Sequence, residues 1–179
     1  KNFKIVTIPK KFPSDLIKKK LVIGFDPRLH TELSINRIFN NTNCKLTPLN
    51  NNLINKIWSN RKIVKVNKFY KLNNKDSGEN SKNKIKKLIK ILKENEINVQ
   101  FVSAPENIAW LLNLRGNDSE FTPIPNSYLI LNEKKIYFFC ELKKIDKKLK
   151  KELNNITIIN INLIEKFLKE IKNKKIQID

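Results

Sequence analysis

Two short apolar runs, residues 128–131 and 135–140, close around the polar stretch Asn132-Glu-Lys-Lys. A pair of runs rich in aromatic and branched residues, separated by a turn-forming Asn, predicts a β-hairpin. Helical patterns flank this hairpin at residues 105–112 and 143–153. Tight turns join antiparallel strands, whereas helical crossovers bring in parallel ones. A hairpin set between helical crossovers therefore demands a mixed sheet, and the fold class is α/β or α+β, with a mixed β-sheet flanked by helices.

The remaining elements follow from local patterns. Residues 3–8 alternate and predict a strand, ended by Pro9 and Pro13, with Pro13 in the first turn of a short helix through Lys19. The compact run 21–25 predicts a buried strand. Thr31 is the expected N-cap of a helix carrying Leu33, Ile35, Ile38 and Phe39. A strand over 44–49 and a helix over 52–58 follow. Residues 59–80 carry no period, and the polar stretch 71–80 reads as a linker. Ile85, Leu88, Ile89 and Leu92 then recur at helical spacing, with Ser81 the expected cap. A strand over 98–103 and a helix over 105–112 precede a long loop, 113–126. After the hairpin come helix 143–153, strand 156–160, helix 162–172 and strand 175–178.

The chain begins with Lys1, contains no Met, and closes on a strand-like stretch, so sequence is expected to be missing at both ends. The formal net charge of +20 brings nucleic acid to mind first. That reading predicts affinity falling steeply with salt. Against it, only Arg28, Arg37, Arg61 and Arg115 supply guanidinium groups among 37 basic residues. Arginine is the side chain suited to bidentate phosphate and base contacts. The lysines are spread over every expected helix, alongside abundant Asn and Ile, so an AT-rich codon bias accounts for them and nucleic acid is not the expected partner. No apolar run reaches the length of a membrane span.

Conventional chemistry is absent from the pattern. His30 is the sole imidazole and suits a surface or capping role. Cys44 and Cys140 lie far apart, belong to no metal-ligand pair, and are expected to be buried free thiols in a reducing compartment. There is no G-x-S-x-G and no glycine-rich phosphate loop. Asp76, Glu79, Asp118, Glu120 and Glu141 show no metal-ligand spacing. No catalytic residue and no metal ligand is assigned. The candidate site is the loop of Asn113, Arg115, Gly116, Asn117 and Asp118. Gly116 permits a sharp or left-handed turn, and Asn117 and Asp118 can bond to the turn's own backbone. Two readings stand open: a structural turn in which Arg115 pairs with Asp118, or a polar loop on a rigid helix that faces a ligand.

The segment Ile108-Ala-Trp-Leu-Leu-Asn-Leu-Arg-Gly-Asn-Asp118 resembles the hallmark of three-domain aminopeptidase P, the Xaa-Pro aminopeptidases. Asn126-Ser-Tyr128 follows at the family's spacing. Upstream, Ile23-Gly-Phe-Asp-Pro-Arg-Leu-His-Thr31, the segment 52–61 and Ser77-Gly-Glu-Asn-Ser-Lys-Asn-Lys-Ile85 resemble further family segments in family order. The chain departs at Thr122-Pro-Ile-Pro-Asn126, where the family has an Asn-Pro start and a bulky apolar pair. It departs again at Lys62, where the family commonly has Pro.

The resemblance implies creatinase/prolidase N-terminal-like domains. Residues 1–62 would be the C-terminal part of the first, 63–80 a linker, and 81–179 the second. It implies a parent enzyme that removes an N-terminal residue preceding proline, using two divalent metal ions, commonly manganese in this family. Those ions would sit in a pita-bread catalytic domain expected to lie outside this chain, leaving the segment itself inactive. The expected partner is a peptide with proline in second position, in the cytoplasm; a homo-oligomer is compatible. The alternative is a creatinase-like binding domain of a non-peptidase relative, distinguished by whether the parent encodes the two Asp, one His and two Glu that hold the metals. By family position, the 113–118 loop lines or braces the substrate entrance.

Overall fold

The computed structural model describes residues 5–8, 10–61 and 66–179. The chain divides into two compact units, residues 1–63 and 64–179.

The first unit holds α1 (Pro13–Leu16), β1 (Val22–Phe25), α2 (Glu32–Ile38), β2 (Lys45–Pro48) and α3 (Leu53–Ile57). β1 and β2 pair in parallel, Ile23 opposite Leu46, with α2 as the crossover. Thr31 caps α2 as its sequence suggests, its Oγ1 accepting from Ser34 N at 3.1 Å. Asn52 caps α3 and donates from Nδ2 to Asp26 Oδ2 at 2.8 Å. His30 packs against the Phe25 ring. The run 21–25 is not buried as expected, since Val22 is 71% exposed. A two-stranded sheet cannot cover both its faces, and Ile35 is the one buried apolar residue of this unit among the described residues. Cys44 is likewise only half-buried. Residues 5–8 form no strand; residues 3, 4 and 9 lie outside the described residues.

The second unit is built on five strands: β4 (Val99–Val102), β6 (Tyr128–Leu131), β7 (Ile136–Cys140), β8 (Thr157–Asn160) and β9 (Ile176–Ile178). Their order is β8-β7-β6-β4-β9. The central pairs are antiparallel and the two outer pairs parallel, which is the mixed sheet that the hairpin demands. Side chains alternate between two cores with the strand period of two. Leu129, Leu131, Phe138 and Cys140 face one core with Leu92, Ile108 and Leu112. Ile130 and Phe139 face the other, where Phe167 and Leu168 cover them. The first side is packed by α5 (Ser81–Glu94), α6 (Pro105–Leu112) and α7 (Lys147–Glu152), the second by α8 (Ile164–Glu170). Burial pushes the Cys140 thiol up to about 12, so it behaves as an inert core residue.

Residues 63–80 contain β3 (Tyr70–Lys71) and α4 (Asn74–Ser77), and Phe69 joins the core. α5 is capped by Asn80, whose Oδ1 accepts from Asn83 N at 2.8 Å, so Ser81 is the first helical residue rather than the cap. The expected helices 143–153 and 162–172 each open as a 3-10 turn, at Leu142–Lys144 and Ile161–Leu163.

α6 has Ala104 at its N-cap, which offers no side-chain acceptor. Asp179 supplies one from the end of β9, the strand paired with β4. Its carboxylate accepts from Ser103 N and Asn107 Nδ2, both at 2.7 Å, and more distantly from Ala104 N at 3.4 Å. Burial raises the Asp179 pKa, but hydrogen bonds from Asn107, Ser103 and Ala104 outweigh it, and the net shift is downward. A depressed carboxyl stabilises the fold above its unfolded-state pKa and loses that contribution as pH falls through the folded value. Asp179→Ala should therefore cost about 1 kcal/mol at neutral pH. The deficit should close in acid, below roughly pH 4, on urea denaturation of the two proteins.

Candidate functional site

α6 stops where Asn113 turns into the left-handed region, with φ 54° and ψ 35°. Asn tolerates this conformation better than most residues, which suits it to end a helix. Its side chain is buried and fully used. Oδ1 accepts from Lys84 Nζ at 2.7 Å, and Nδ2 donates to Ser77 Oγ at 3.0 Å and the Glu79 carbonyl at 2.8 Å. Its carbonyl accepts from Leu72 N at 2.8 Å. Lys84, only 4% exposed, also donates to the Trp110 carbonyl at 2.8 Å and lies 4.3 Å from the Trp110 ring centroid. Burial lowers the Lys84 pKa, with Glu79 opposing and Arg115 reinforcing the shift.

After Asn113 the chain forms β5 (Leu114–Arg115), antiparallel to β3, with Arg115 opposite Tyr70. Arg115 does not pair with Asp118, in contrast to the structural-turn reading. Its Nη1 donates to the carbonyls of Ala109 and Leu114, each at 2.9 Å. The guanidinium thereby adds a second donor to the Ala109 carbonyl, which already accepts from Asn113 N, at the end of α6 where positive charge is favoured. Gly116 is buried and adopts no left-handed backbone; Gly78 is the one glycine with positive φ among the described residues. Close approach explains it instead. A Cβ here would meet Phe69 Cε1 at 2.8 Å and the Ile124 carbonyl at 3.0 Å.

Asn117 is exposed. Asp118 is not a local turn acceptor. Its Oδ2 accepts from Asn126 N at 2.7 Å, and its Oδ1 holds Lys144 Nζ at 2.7 Å. The Asp118 and Lys144 side chains are 6% and 12% exposed. The departure at 122–126 thus supplies the backbone donor that ties the loop shut. Between Asp118 and Asn126, a bridge between Ser119 and Thr122 closes a tip that carries Phe121, 97% exposed and at φ 64°.

The structure therefore brings Asn113, Arg115, Gly116 and Asp118 together as one braced loop, with Asn117 on its outside. Lys84, Lys144, Ser77 and Phe69 were not foreseen as its partners. Lys84 carries a faint signal, since positions 81, 84, 85, 88 and 92 share the inner face of α5; a lysine in that phase is hidden by the many others. Among the described residues, no group of three His, Cys, Asp or Glu side chains could hold a metal ion. No described helix is long and apolar enough to cross a membrane.

These features define an α/β domain with a mixed five-stranded sheet and an internally braced Asn-Leu-Arg-Gly-Asn-Asp loop. The chain belongs to the creatinase/prolidase N-terminal domain family, whose profile matches residues 60–179. Xaa-Pro aminopeptidase ApepP of Drosophila melanogaster is 33% identical over 139 residues, covering 72% of this chain and 22% of that protein. Xaa-Pro aminopeptidase 1 of Dictyostelium discoideum is 34% identical over 116 residues, covering 63% and 18%. The chain thus spans about a fifth of the length of these curated relatives. The X-prolyl aminopeptidase of Caenorhabditis elegans, a cytosolic enzyme with a di-nuclear active site, shares the fold with a TM-score of 0.78. That match is 24% identical and covers 92% of this chain and 29% of the other.

Two substitutions test the bracing. Gly116→Ala should destabilise by about 1–3 kcal/mol, because Phe69 and the backbone at Ile124 must both move. Lys84→Met should cost about 2 kcal/mol by leaving Asn113 Oδ1 without its donor and the Trp110 carbonyl with only the 3.4 Å bond from Asn113 N. Chemical denaturation of each variant measures both losses.

Proposed function

We propose that this chain is the non-catalytic α/β part of a metal-dependent Xaa-Pro aminopeptidase, which removes an N-terminal residue preceding proline. The similarity to Xaa-Pro aminopeptidases at 33% and 34% identity carries this reading. The di-nuclear centre of the nematode relative suggests two divalent ions in the parent, manganese by family resemblance. Among the described residues, no group of three or more His, Cys, Asp or Glu side chains comes together that could hold such a pair. No step of peptide hydrolysis is assigned to them.

The role of this part is to shape access. Asn113, Arg115, Gly116, Asn117 and Asp118 form the loop that borders or braces the substrate entrance. Its rigidity supports that role: Asp118 and Asn113 are held by buried partners, while Asn117 stays on the surface. In this reading residues 1–62 end a first creatinase-like domain, 63–80 link, and 81–179 form the second. The substrate is a peptide with proline in second position, and the parent is cytoplasmic and able to self-associate.

Arg115→Ala in the whole enzyme should lower kcat/KM on Xaa-Pro peptides, by about tenfold if the loop's position at the entrance shifts. Unchanged kinetics on short and long peptides, with unchanged stability, would remove Arg115 from the entrance. The 179-residue chain supplied with manganese should release no amino acid from such peptides. Metal-dependent turnover by a pure sample would overturn the non-catalytic reading.

A further inference from the structure

A cavity of about 350 Å³ opens on the second unit among α5, β3, the start of β7 and the turn that follows α7. Ile85, Ile89, Ile136, Leu153 and Ile156 give it an apolar lining. Lys71, Lys82 and Lys86 also line it, against a single acidic side chain, Glu152. On α5, positions 82, 85, 86 and 89 share one stripe, so isoleucines and lysines reach the same opening.

The charge arrangement is selective. α5 carries six lysines. Lys84 is buried in the Asn113 contact, and Lys87, Lys90 and Lys93 pair with Glu79, Glu94 and Glu133. The remaining two, Lys82 and Lys86, both line the cavity, and no ion pair among the described residues engages them. The helix thus leaves its uncompensated positive charge beside an apolar recess.

We propose that this cavity binds a small amphipathic organic anion, a monocarboxylate with an aliphatic or aryl body. The volume is at the small end of ligand pockets. The apolar body would displace water from the isoleucine lining, a gain proportional to the apolar area covered. The carboxylate would accept charge-assisted hydrogen bonds from Lys82 and Lys86, which are shorter and stronger than neutral ones. A cation of the same shape would meet like charge. A polyphosphate would find no arginine fork and would have to desolvate against isoleucine.

The full chain should be titrated with decanoate below its micellar concentration, followed by calorimetry and by NMR of the isoleucine methyl groups. Saturable binding of one decanoate per chain is expected, with the shifts centred on Ile85, Ile89, Ile136 and Ile156. Decylamine, with the same tail and opposite charge, should bind at least about tenfold more weakly. The double variant Lys82→Glu, Lys86→Glu should also lose at least about tenfold, with circular dichroism and unfolding midpoint unchanged because both positions are exposed. Absence of saturation, equal binding of decylamine, shifts centred elsewhere, or an unaffected variant would each overturn the proposal. None of these outcomes bears on the peptidase reading, which is tested by turnover.

Discussion

The contact between Lys84 and Asn113 is the constraint on which the second unit's loop region depends. An ammonium group taken out of water is costly unless its protons are satisfied. Here it meets the Asn113 amide and the Trp110 carbonyl, over the face of the Trp110 ring. That one group joins the middle of α5's first half to the end of α6. Asn113 then passes the connection on to Ser77 and Glu79 in the segment before α5. Three stretches of chain are fixed around Lys84 and Asn113, and α6 stops where Asn113 must leave helical geometry to complete the set.

Downstream of that stop, the chain is held by a second buried charge pair. Lys144 and Asp118 are too enclosed to be counted as an ordinary surface ion pair. The pair is supported by Asn126 N on the carboxylate and by Phe69, whose ring lies 5.4 Å from Lys144 Nζ. Phe69 also occupies the space beside Gly116. The loop's glycine, its aspartate and the core aromatic are therefore interdependent: a larger residue at 116 would push against the same ring that backs Lys144.

The sheet was readable from sequence because its signals are local. Tyr128 to Cys140 alternates between two cores, and both helical patterns around it carry their own period. The bracing of the loop was not readable, for the opposite reason. Arg115 has Asp118 three residues away, yet its partners are the carbonyls of Ala109 and Leu114, while Asp118 takes Lys144 from 26 residues on. Sequence proximity gives no ranking among so many lysines. β3 and β5 are each two residues long and leave no periodic trace. In the first unit the apolar run of β1 suggested burial, but a strand's composition cannot say how many neighbours will cover it.

The bonding of Arg115 bears on what such a loop can offer a ligand. An arginine has five N–H donors in a fixed fork. Both described hydrogen bonds of Arg115 leave through Nη1, and the residue is half-buried. Nη1 is thus committed to one carbonyl of α6 and one of β5, which fixes the plane of the group without using all its donors. Bracing and ligand contact, set apart as rival readings of the loop, do not exclude each other physically. A guanidinium locked on one edge has already lost the rotamer freedom that a flexible side chain would lose on binding. Lysine at 115 would bring a point charge with no second edge, which gives a physical reason for an arginine at this position in a chain that elsewhere uses lysine.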